Sequence, residues 1–152
     1  MAFDALERGR DILDTAIDAS LAALVTSVAT SHGVSNVPAH RAVYRSYEAR
    51  PMYPFIEITP PRGTLESLSE GSITSVADYW LIASISGAEP KWVDDVCMVY
   101  LTALIRLCCN ISGDSYLAEP VEFDFSPPVL EEDTQQKRSV GVLVRMTFAE
   151  SA

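Results

Sequence analysis

The residues whose types could do chemistry are few: Cys97, Cys108 and Cys109, His32 and His40, the carboxylates Asp94–Asp95 and Glu131–Glu132–Asp133, and Asp78. A cysteine nucleophile needs a thiolate, and so an activating base in an exposed, electropositive setting. All three cysteines fall instead in one broadly apolar stretch, where buried small hydrophobes are expected. The two histidines are eight residues apart, with no cysteine or carboxylate at metal-ligand spacing, and are expected to face solvent. Asp94–Asp95 stands at a helix start, where acids complement the dipole. Glu131–Asp133 reads as a solvated loop. Asp78 lies inside a strand and is expected to pair with Arg41 or Arg45 across a sheet, or to face water. No GxxxxGK, GxGxxG or GxSxG pattern occurs. The expectation is a chain with no catalytic residues, no metal and no cofactor, and not an enzyme.

The elements that carry these residues begin with Pro90–Ile111. Proline near the first turn costs no hydrogen bond, and no glycine or further proline follows up to Ile111. Trp92, Val96, Val99, Tyr100, Ala103 and Leu107 form one stripe at helical period. Val93, Cys97, Leu101, Leu104, Cys108 and Ile111 widen it past half the circumference. Such a helix must be covered on more than one side. Cys97 and Cys108 share a face but are about 16 Å apart in rise, too far to bridge.

Residues 3–31 read as a second long helix, with Leu6, Leu13, Ile17, Leu21, Leu24 and Val28 at helical spacing and His32–Gly33 as its stop. Strands are expected at 39–47, 55–59 and 72–86, then at 121–125 and 140–148. Tyr79–Ile85 is apolar on both faces, which predicts an interior strand covered twice, or an interface. Pro60–Gly71 and Ser126–Ser139 read as long connections. The fold class is therefore α+β, a mainly antiparallel sheet of about five strands packed with two α-helices, in the order α-β-β-β-α-β-β. Residues 1–152 form a single domain.

With 21 acidic against 11 basic residues the net charge is −10. That argues against nucleic acid or an anionic membrane as the main partner. Three cysteines without a disulfide pattern predict reduced thiols and cytoplasmic synthesis. The N-terminus, MAFDALERGRDIL, is not a signal peptide, and no continuous apolar run reaches the ~18 residues of a membrane span.

The segments YPFIEITPPRG, ADYWLIASIS leading into PKWVDDVCMVYLTALIRLC, and VEFDFSPPVLEEDTQQKRSVGVLVRMTF, in this order of elements, resemble the tail terminator proteins of tailed bacteriophages. The resemblance covers nearly the whole chain. It implies a structural virion protein that caps the tail tube as a hexameric ring, ends tube polymerisation and joins the tail to the head. The implied partners are further copies of the chain, the tail tube protein, neck and head-completion proteins and, on a contractile tail, the sheath. DNA would pass through the ring without specific binding, and no membrane is involved. The chain would be made in the host cytoplasm and reside in the virion tail or neck.

The hypothesised protein contacts are Arg62, Leu65 and Leu68 in one connection, and Leu130, Glu131, Glu132, Asp133, Lys137 and Arg138 in the other. The competing expectations are another phage neck or head-completion protein, a dimeric bacterial adaptor, and a small non-viral ligand-binding α+β domain. In the last of these Tyr79, Trp80, Phe123 and Phe125 would line an apolar pocket.

Overall fold

The computed structural model describes residues 5–45, 52–59, 62–69, 72–111, 122–130 and 137–151. The opening helix is α1 (Ala5–Ala16), a π-helical turn (Ile17–Leu21) and α2 (Ala22–His32) in direct succession. The π turn has a reason in the spacing. Leu13, Ile17, Leu21 and Val25 are all buried and recur every four residues. In a regular α-helix each such step drifts by about 40° from the last. One wider turn absorbs the drift and keeps all four on the core side. Gly33, at φ 68°, ends the helix in the left-handed conformation. Its N–H donates to Thr30 O, and the Val34 N–H donates to Ala29 O at 3.0 Å, the paired bonds of a Schellman cap.

By length and composition Glu7–His32 could cross a membrane. Asp14 and Asp18 interrupt any continuous apolar run, which is why a search for such runs passes over it. Here its apolar stripe is buried in the core.

Six strands follow the expected class with one more strand than expected: β1 (Ala42–Arg45), β2 (Phe55–Ile58), β3 (Arg62–Ser69), β4 (Ser72–Ser86), β5 (Glu122–Leu130) and β6 (Lys137–Ser151), with α3 (Pro90–Ile111) between β4 and β5. They form one sheet in the order β1-β2-β4-β6-β5, with β3 also paired to β4. All pairings are antiparallel except β1 with β2. β4 and β6 pair along all fifteen residues, from Ser72↔Ser151 to Ser86↔Lys137, a span of about 50 Å.

Two connections expected as loops are largely strand. Pro60–Gly71 contains β3, and Ser126–Ser139 contains the end of β5 and the start of β6. Turn-forming residues dominate both stretches, and neither shows a clean apolar alternation, because each is edge or near-edge strand held by backbone pairing. β2 and β3 run one after the other along the same side of β4, with Phe55↔Ser84 to Ile58↔Leu81 followed by Arg62↔Asp78 to Ser69↔Ser72. Thr59 links them to it: its N–H donates to Trp80 O at 3.0 Å, and the Trp80 N–H donates to Thr59 Oγ1 at 2.9 Å.

The core lies between one face of this sheet and the helices. Ala77, Tyr79, Leu81, Ala83 and Ile85 of β4 meet Val140, Val142, Val144, Met146 and Phe148 of β6, with Ile56 and Ile58 of β2 beside them. α3 packs on β4, β5 and β6, and also on α2 and the π turn. Eleven of its residues are buried, so the wide apolar stripe is covered on more than one side. Two bonds tie the segment after α2 to this helix. Tyr100 Oη donates to Pro38 O at 2.6 Å, and Trp92 Nε1 donates to Ser35 O at 3.2 Å.

Candidate functional site

The helices that touch the sheet, α1 and α3, do so on one face, with α2 and the π turn packed on α3, so among the described residues the interior strand β4 is covered by helices on one side and not on two. On the opposite face Trp80 stands 37% exposed, with half-buried Ile82 on its own strand and Leu143 opposite it on β6. Its indole lies over Gly141, where a β-carbon would come within 3.1 Å of the ring. A glycine inside a strand marks such a close approach, and that signal was present in the sequence.

Towards β1 the same face carries Tyr44 edge-on to Phe55 at 5.3 Å and Tyr53 edge-on to Phe55 at 5.1 Å. Lys137 Nζ lies 5.4 Å from the Tyr53 ring centroid, within range of a cation–π contact. Towards the other end of β4, Arg145 grips Asp78 with both arms, Nε to Oδ1 at 2.8 Å and Nη2 to Oδ2 at 3.0 Å. Asp78 therefore pairs with Arg145 of β6, where Arg41 or Arg45 was expected; the Arg45 side chain lies outside what the structure describes. The partner is set by the β4–β6 register, in which the two stand directly opposite, and periodicity does not reveal register.

Of the expected contact residues, Arg62, Leu65 and Leu68 lie on β3, which is strand and not loop. Leu130 ends β5 and Lys137–Arg138 open β6. Glu131, Glu132 and Asp133 lie outside the described residues. Arg138 is engaged within the chain, its Nη1 2.7 Å from Asp94 Oδ1 at the start of α3. The expected pocket wall does not form as imagined. Tyr79 is fully buried on the helix side while Trp80 is on the open side, because neighbours in a strand point to opposite faces. Phe123 and Phe125 stand in register with Val144 and Val142.

The titratable groups sit as follows. Burial pushes the thiols of Cys97 and Cys108 up to about 12, so neither is a thiolate at neutral pH. Cys109 is exposed. His32 is exposed, but His40 is half-buried, against expectation. Its Nδ1 is shut away from solvent with no hydrogen-bond partner. Burial lowers its pKa, with Asp18 of the π turn pulling weakly the other way. Among the described residues no group of three or more His, Cys, Asp or Glu is placed to hold a metal.

One open cleft of about 360 Å³ lies between the end of α2 and the start of α3, lined by His32, Asn36, Glu89, Lys91, Trp92 and Asp95 among others. It is polar and mixed in charge, unlike the mostly apolar cavities that hold small molecules.

No protein-family model matches this chain, and no curated protein matches it in sequence. Among solved structures, a chain described as "Virion of native gene transfer agent (GTA) particle" is similar at 14% identity and a TM-score of 0.46, over 87% of this chain and 86% of that one.

Proposed function

We propose that this chain is a structural protein of a phage-like virion that closes into a ring on the end of a tail tube. There it stops further tube growth and offers its other face to the neck. Its work is assembly, not catalysis. The observation that carries this reading is the distribution of unpartnered surface on the sheet. One face is fully used by the helices. The other carries no described helix, with Trp80 37% exposed at its centre, and β1, β3 and β5 each pair on one side with no second described strand. The order of elements is that of the tail terminator resemblance with one strand added. A ring of identical subunits needs two different surfaces per copy, meeting head to tail, and a sheet with free strands on both sides supplies them. A charge of −10 keeps the ring from holding DNA by its phosphates.

Immunogold electron microscopy on tailed particles, with antibody against this chain, tests the reading. The expected result is label at the head–tail junction and on the head-proximal end of headless tails. Label at the junction but absent from headless tails would leave a neck component and remove the terminator role. Permeable, well-preserved necks and tails without label would overturn the proposal.

A further inference from the structure

The two sides of the sheet end in strands of different chemistry. On one side β3 pairs with β4 alone, and on the other β5 pairs with β6 alone, among the described residues. Each is interrupted. β3 shifts register between Leu65 and Ser67, and β5 between Ser126 and Val129, where Pro127 and Pro128 have no N–H to offer. What remains regular is a four-residue run, Arg62–Leu65, on one side and a five-residue run, Glu122–Ser126, on the other. The runs differ in length by one residue. Their charges are opposite: the first holds Arg62, which is exposed, and the second holds Glu122 and Asp124. β1, also four residues long, differs from both in being the parallel strand of the sheet.

We infer that copies of this chain join by strand addition, Arg62–Leu65 of one copy pairing with Glu122–Ser126 of the next. The backbone groups of both runs are then satisfied across the contact, which is the mode by which a free strand recruits a partner. Arg62 of one copy meets the acids of its neighbour, which favours β3-to-β5 over β3-to-β3, where Arg62 would meet no acid of the facing run. A β3-to-β5 contact is heterologous, so it propagates from copy to copy and closes only if its rotation allows. The inference deepens the ring reading and rests on it for closure. The pairing itself follows from the two runs.

The test is sedimentation velocity with negative-stain imaging on three proteins: the unmodified chain, Arg62→Glu and Asp124→Arg. Asp124 stands in register with Leu143 and not with a charge, so its change spares the internal ion pairs, whereas Arg62 stands in register with Asp78 and its change is read for folding as well as for association. Thermal melts of each confirm that it folds. The expected result is that the unmodified chain associates, that each variant alone associates at least about tenfold more weakly because like charges now meet, and that an equimolar mixture of the two regains the unmodified behaviour in alternating copies.

Association that Arg62→Glu leaves unchanged would overturn the pairing while leaving a ring formed by another surface, such as the Trp80 face. Variants weakened alone and not rescued on mixing would also overturn it. A chain that stays monomeric at the highest attainable concentration, and also fails to assemble on isolated tail tubes, would overturn the pairing and the ring together.

Discussion

Gly9 of α1 lies flat against the ring of Tyr79 on β4: a β-carbon at residue 9 would stand 2.5 Å from the tyrosine Oη and 2.8 Å from Cε2. Tyr79 is completely buried, and burial pushes its hydroxyl pKa up, against a smaller opposing effect of the Arg10 backbone. Gly9→Ala gains about 1 kcal/mol of helix propensity but overpacks a filled core at a cost of about 1–3 kcal/mol. The expected net is a loss of up to about 2 kcal/mol, read as a lower denaturant midpoint with unchanged slope. A midpoint raised by the full propensity gain would show that α1 does not sit against β4.

The three cysteines should separate cleanly by reactivity. Cys109 is exposed, while Cys97 and Cys108 are buried with thiols held near 12. An aromatic disulfide reagent at pH 8 should release one equivalent quickly from the native chain and three in guanidinium chloride. Cys109→Ser should abolish the fast phase. Fast reaction of two or more thiols in the native state would contradict the packing of α3.

His40 gives stability a pH dependence whose sign follows from its burial. Its native pKa lies below the ordinary 6.5, so on acidification the unfolded chain takes up this proton before the native one. The His40 contribution to stability is therefore constant above about pH 7. It is lost as pH falls below 6.5 and levels off once the native imidazole is also protonated. The melting temperature of the unmodified chain minus that of His40→Asn should fall between about pH 7 and pH 5, before most carboxylates titrate. Parallel curves would mean that the imidazole is as well solvated in the folded chain as in the unfolded one.

The Asp78–Arg145 pair is well formed but lies on the open face, with side chains 20% and 49% exposed. Solvent screens it, so its net worth is at most about 1 kcal/mol. Asp78→Asn should lower stability by no more than that, and the difference should shrink in high salt. A loss several times larger, insensitive to salt, would mean that the pair is covered by a second copy under the conditions of measurement.

Much of this fold was legible in the order of residues. Pro90–Ile111 is a helix with the bounds that its proline start and unbroken apolar period imply, and Ser72–Ser86 is a strand with the bounds set by its alternation and by Gly87. Gly33 ends the opening helix as its conformational freedom predicts. These are local properties: a period, a cap and a turn need no distant partner.

The tertiary structure alone decided the rest. β3 exists because β4 offers it backbone partners, although its own sequence reads as turn. The π turn exists because four apolar residues spaced by four must all stay on the core side, where the turn and α2 pack on α3. Asp78 finds Arg145, 67 residues away, through the β4–β6 register, and a register is a relation between two strands that neither encodes alone. The same holds for the site. The sequence marked Tyr79 to Ile85 as apolar on both sides, but which side the helices would take, and so which would be left with Trp80 in the open, was settled only when Gly9 came to rest on Tyr79.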